Sequence, residues 1–147
     1  MAKLRGSRRR VGGTLVLDAE GLVRLANGNS LTVSLARDTY KAEAEIVTAA
    51  STLVEVLRGG PRDAPVHRIL SNVTVVPIGQ QQGRAAGELL GRTGLSGHKC
   101  ALDALLAVVA LAQPRPVVLV TSDTEDMARL TEEPGRRKAE RIAVVRI

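Results

Sequence analysis

Residues 117–123 read VVLVTSD: four aliphatic side chains in a row, then a Thr-Ser-Asp turn. An apolar run this short, with no polar alternation and a stop made of turn formers, marks a strand covered on both faces, as in parallel sheets. Residues 14–18, TLVLD, repeat the pattern, an aliphatic strand closed by an acid. In an open parallel sheet, ligands sit beyond the carboxyl ends of the strands. Asp18, Ser122 and Asp123 are therefore expected on one edge.

Working outward, the chain alternates such strands with helical spacing. Residues 19–26 place Leu22, Val23, Leu25 and Ala26 on a helical face, Asn27-Gly28-Asn29 ends it, and Ser30 can cap a helix over 31–44. Residues 45–48 (EIVT) read as a strand, and 50–58 as a helix closed by Gly59-Gly60-Pro61. A short helix over 66–70, a strand over 73–77 (VTVVP) and a helix over 80–90 follow, and the glycines at 91, 94 and 97 mark a loop. Residues 101–112 form the most apolar helix, stopped by Pro114 and Pro116. Beyond 117–121 come a short helix over 124–130 and a last strand over 142–147. This order predicts an α/β fold with a mostly parallel central sheet flanked by helices on both faces.

A length of 147 residues predicts one domain. Hydrophobic residues make up 44%, enough for a core, yet Phe and Trp are missing and Tyr40 is the one aromatic, so Leu, Val, Ala and Ile must pack it. The net charge is +6, of which Lys3, Arg5, Arg8, Arg9 and Arg10 carry +5, leaving +1 on residues 11–147. Residues 1–12 therefore read as a basic flexible tail and 13–147 as the folded domain. The tail is either a solvated leader or a binder of phosphates or an acidic partner. No apolar run reaches the roughly 18 residues that span a bilayer. The expected protein is soluble and cytoplasmic. Cys100 is alone, so no internal disulfide forms and no Cys/His zinc pattern exists.

Two further acids look out of place. Glu55 lies among Leu53, Val54, Val56 and Leu57, and Asp103 is the lone charge in CALDALLAVVALA. Both helices are expected to be largely buried. A buried carboxylate needs a cation, strong hydrogen bonds or a raised pKa. Each acid also has an ordinary reading: Asp18 and Asp123 as helix caps, Glu55 and Asp103 on a polar stripe. Taken together, convergent carboxylates repel one another, and a hard divalent cation such as Mg²⁺ or Mn²⁺ offsets this. Such ions acidify water and neutralise a phosphodiester.

The stretches TLVLDAEGL, ASTLVEVLRGG, ALDALLAVVAL and VVLVTSDTEDM resemble the four acid-bearing motifs of PIN domains, in the family's order, with the acids 37, 48 and 20 residues apart. The resemblance covers residues 14–147 and extends to VapC-type toxins. It implies a PIN-like three-layer sandwich and an Mg²⁺- or Mn²⁺-dependent endoribonuclease, silenced by a small antitoxin that enters the active-site groove. It also implies RNA as substrate and a homodimer. By motif, Asp18, Glu55 and Asp103 would be the main metal-site acids, Asp123 would complete the quartet, and Thr121 would orient a carboxylate or the attacking water. The chain departs from the pattern at Glu20, where the family has a small or polar residue, and at Asp126, which Met127 follows in place of an aromatic. Glu20 either adds a ligand or is an ordinary helix-start acid. Asp126 is either secondary or takes over from Asp123. His98 and Lys99 either meet substrate phosphate or stand in a solvated loop, and Cys100 reads as packing.

The alternative function is a PIN-fold binding module, for antitoxin or nucleic acid, with weak or lost nuclease activity. A receiver-like domain is disfavoured because the strand VTVVP ends without an acid. No glycine-rich nucleotide loop is present. With almost no aromatics to stack bases, RNA would be held through its shape and backbone.

Overall fold

Strand β1 (Thr14–Leu17) runs through the middle of a five-stranded sheet. It pairs in parallel with β2 (Glu45–Ala49) on one side and with β4 (Val117–Thr121) on the other. Strand β3 (Thr74–Val76) adds outside β2 and β5 (Ala143–Arg146) outside β4, again in parallel, giving the order β3-β2-β1-β4-β5. The computed structural model describes residues 12–147. The basic residues expected to form a tail lie outside the described residues.

Helices fill the crossovers: α1 (Ala19–Ala26), α2 (Ser30–Lys41), α3 (Leu53–Val56), α4 (Ala64–Leu70), α5 (Gln80–Thr93), α6 (Gly97–Leu111) and α7 (Thr124–Leu130). Period-two alternation along the central strands sorts their side chains to two cores. Val16, Val47, Val117 and Leu119 pack with Leu89, Ala104, Leu106, Ala107 and Met127, from α5, α6 and α7. Leu15, Leu17, Ile46 and Val120 face the other way, onto Leu22 of α1 and Ala36 of α2. The expected parallel sheet with helices on both faces is what forms. Each fully buried Leu or Met in these layers contributes about 1.5–3 kcal/mol. Among the described residues no single helix is long and apolar enough to cross a membrane.

Several element boundaries differ from the sequence expectation, each for a local reason. The helix expected over 50–58 is a 3-10 turn, Ala50–Thr52, followed by the single turn of α3. Leu57 is already extended, and the Asp63 carboxylate accepts the Arg58 and Gly59 N–H groups at 2.9 and 2.7 Å, turning the chain out of the helix. Burial there is also less than expected, with Val54 69% exposed. Gly91 and Gly97 are not loop residues: α5 runs to Thr93 and ends on Gly94 at φ +68°, while α6 begins at Gly97 behind the Ser96 cap. Helix α2 is capped by Asn29, whose side chain accepts the Thr32 N–H, so Ser30 is its first residue instead of its cap. It stops at Lys41, and Glu43 then takes a positive φ of 55°.

A candidate metal centre at the carboxyl edge of the sheet

The carboxyl ends of β1 and β4 are adjacent because Leu17 pairs with Val120. Asp18 follows directly, 8% exposed, and both its oxygens are engaged. Oδ1 accepts the Gly21 N–H at 2.7 Å, capping α1, and Oδ2 accepts the Ser122 N–H at 3.1 Å. Thr121, 1% exposed, accepts the Asp123 N–H on its hydroxyl at 3.0 Å. Asp123 in turn caps α7 by accepting the Asp126 N–H at 3.2 Å. The ordinary cap reading of Asp18 and Asp123 thus holds. Capping uses one lone pair of a carboxylate and leaves others free.

Asp103 stands half-buried on α6, above this edge. Its carboxyl is pushed up to about 6, first by burial and then by the negative charges of Asp123, Glu55, Asp18 and Asp126. Four other acids, from three chain segments far apart in sequence, are therefore close enough to act on one carboxyl. Glu55, at an exposed position of α3, is also raised, by partial burial and then by Asp18. Neither of the two finds a cation that reverses its shift. Such a field favours protons or a divalent cation. The donors are all oxygen, which suits Mg²⁺ or Mn²⁺. Among the described residues no three Asp, Glu, His or Cys side chains are already arranged to hold one ion. The carboxylates share a field without yet forming a closed ligand cage.

The same architecture occurs in solved structures. VapBC2 from Rickettsia felis, bound to a DNA fragment from its promoter, superposes with a TM-score of 0.66 at 18% identity, covering 91% of this chain and 98% of that one. A toxin–antitoxin complex from Klebsiella pneumoniae gives a TM-score of 0.58 at 21% identity, covering 89% of this chain and 95% of that one. FitAB bound to an IR36 DNA fragment gives 0.59 at 14% identity, covering 90% of this chain and 94% of that one. This chain has the PIN-type fold. No protein-family model matches the sequence, and no curated protein matches it.

Within the PIN fold the remaining expected residues separate. Glu20 is in the first turn of α1 and pairs with Arg24 at 2.9 Å. It is not among the charges that raise Asp103. Asp126 is, and its Oδ2 lies 3.7 Å from the Cys100 thiol. Cys100 packs in the core at 3% exposure, and burial followed by the Asp126 charge pushes its thiol up, away from reactivity. His98 and Lys99 are exposed in the first turn of α6, so they belong to a helix and not to a loop.

Some residues of this edge were not picked out from the sequence. Thr48, fully buried at the end of β2, donates its hydroxyl to the Leu17 carbonyl at 2.8 Å, fixing the residue before Asp18. Ser51, in the 3-10 turn that packs on α6, has a buried hydroxyl without a partner among the described residues. Asp63 shapes the turn after α3. Its own carboxyl is held down by the Gly59 and Arg58 N–H groups. In the sequence Asp63 had only its place after Gly59-Gly60-Pro61 to mark it.

Proposed function

We propose that this chain is an Mg²⁺- or Mn²⁺-dependent endoribonuclease and the toxin of a toxin–antitoxin pair. The observation that carries this reading is that the paired ends of β1 and β4 set Asp18 beside Ser122 and Asp123, at the edge whose negative charges act on Asp103. Carboxylates gathered without a neutralising cation of their own repel one another, and a divalent cation offsets that repulsion. Toxin–antitoxin complexes among the structures of like fold support the biological role. A small antitoxin partner, a homodimer and a cytoplasmic location go with it.

Asp18, Glu55, Asp103 and Asp123 would hold the cation, with Asp126 next in line and Glu20 turned to Arg24. When bound, the cation would supply charge neutralisation at the phosphodiester and a more acidic attacking water. The protein's own groups supply position. Asp18 is fixed by two backbone N–H groups, and Thr121, whose hydroxyl accepts the Asp123 N–H, would orient a neighbouring oxygen with its hydroxyl proton. Asp103 must give up its proton before it can ligate, so occupancy should rise with pH through about 6.

The test is cleavage of total cellular RNA by purified protein with Mg²⁺ or Mn²⁺, beside Asp103→Asn and an EDTA control. Discrete metal-dependent cuts that vanish in the variant support the reading. No cleavage by folded, metal-loaded protein freed of any inhibitor would favour the binding module instead.

A further inference from the structure

Strand β5 carries a cation to the acidic edge. In the β4–β5 register Arg146 stands opposite Thr121, and the Ile147 N–H donates to the Thr121 carbonyl at 3.3 Å. The exposed Arg146 side chain reaches across the end of β4 and donates from Nη2 to the Thr124 hydroxyl at 2.9 Å, one residue beyond Asp123.

Other guanidiniums in this part of the molecule are committed elsewhere. Arg58 donates to the carbonyls of Val54, Glu55 and Leu57, Arg24 pairs with Glu20, and Arg129 donates to the Thr93 carbonyl. Among the described residues the ion pairs use Arg24, Arg115, Arg136 and Arg137, and Arg146 is in none of them. A guanidinium has five N–H donors. The bond to Thr124 uses one and holds this exposed group at the rim.

We propose that Arg146 is a substrate-binding residue that grips a phosphate of the RNA strand as it crosses the carboxylate edge. The assignment rests on the ribonuclease reading above. A polyanion approaching this many carboxylates needs a fixed positive charge beside them, and a planar guanidinium matches the phosphate oxygens in a two-point contact. Thr124 acts as a positioning residue, through Arg146.

The experiment uses the full chain with Asp103→Asn, which retains the edge without cutting, and a fluorescein-labelled mixed-sequence RNA of about 20 nucleotides, longer than a typical single-strand site. Binding is titrated across salt concentrations with Mg²⁺ present. Adding Arg146→Gln should weaken binding about tenfold at low salt. It should also flatten the slope of log K against log salt by about 0.7, the loss of one phosphate contact. Arg146→Lys should keep the slope and recover part of the affinity. Thr124→Ala should keep the slope with a smaller loss of affinity. In the cutting protein, Arg146→Gln should raise KM more than it lowers kcat. Unchanged affinity and slope in an Arg146→Gln protein of normal melting temperature would overturn the assignment while leaving the ribonuclease reading intact. A wild type that cuts no RNA, with an Asp103→Asn parent that binds none, would sink both.

Discussion

The Asp18 carboxylate accepts the Ser122 N–H at 3.1 Å across 104 residues of chain, tying the end of β1 to the end of β4. The same side chain caps α1 through the Gly21 N–H. One residue thus joins the fold to the candidate site. Asp18→Ala should lose both bonds and about 1–3 kcal/mol of stability. Asp18→Asn keeps one acceptor oxygen and should lose less, yet be equally inactive. Urea unfolding beside the cleavage assay separates the effects. Equal stability of the Ala variant and wild type would show that the two bonds carry no weight.

Asp103 should make the metal-free protein less stable as pH rises. Its carboxyl is pushed up to about 6 in the folded chain, from the 3.8 of an unperturbed aspartate. Between those values the folded state keeps a proton that the unfolded chain has released, so stability is lost as pH climbs through this window. Discounted for solvent screening at this half-exposed site, the shift corresponds to about 1–2 kcal/mol. Asp103→Asn should therefore melt higher than wild type at pH 7.5 in EDTA, by several degrees, and the difference should vanish near pH 4. A constant difference across pH would contradict the burial and repulsion assigned to this group.

Divalent metal should reverse that order. Binding to the folded state alone raises stability in proportion to the logarithm of ligand over Kd. Wild type should gain several degrees in millimolar Mn²⁺ at pH 7.5, and Asp103→Asn or Glu55→Gln should gain far less. Differential scanning fluorimetry with Mn²⁺ and EDTA arms reads this without any RNA. Equal gains in all three proteins would place the metal elsewhere.

Gly13→Ala should be severe. Gly13 has φ +85°, and an added Cβ would lie 2.2 Å from the Pro116 carbonyl oxygen. The neighbouring Thr14 N–H donates to that same carbonyl at 2.9 Å, so the chain cannot draw back without opening the entry to β1. A loss of more than about 2 kcal/mol is expected, both from the unfavourable φ and from the clash. The denaturant midpoint gives the answer, with Gly28→Ala as control, since its positive φ meets no neighbour within 4 Å.

Asp63→Ala should loosen the turn behind Glu55. It removes the acceptor of the Arg58 and Gly59 N–H groups, which should then exchange hydrogen faster by mass spectrometry. Its carboxyl is held below the usual range, so the stability it contributes is present at neutral pH and lost as pH falls through the folded value. Cleavage should drop while Mn²⁺ binding by Asp18 and Asp103 survives in part. Unchanged exchange at 57–60 would show the turn holds without it.

The sequence by itself determined the parallel sheet. TLVLD and VVLVTSD are aliphatic strands closed by acids, and their burial on both faces is written in the absence of alternation. It also showed that Asp103 sits where a charge is costly, because the other twelve residues of 100–112 are apolar or small. These signals are local: a period, a run, a stop. The tertiary structure alone decided that α3 is one turn long, since the bonds that end it come from Asp63, beyond the Gly-Gly-Pro break. It alone put Arg146 opposite Thr121, because parallel register is fixed by packing of the whole strand and not by the residues at its end. The sum of acidic charges on Asp103 is of the same kind. Coulomb interaction depends on distance in space, and the spacing of residues along a chain does not specify that distance until the chain has folded.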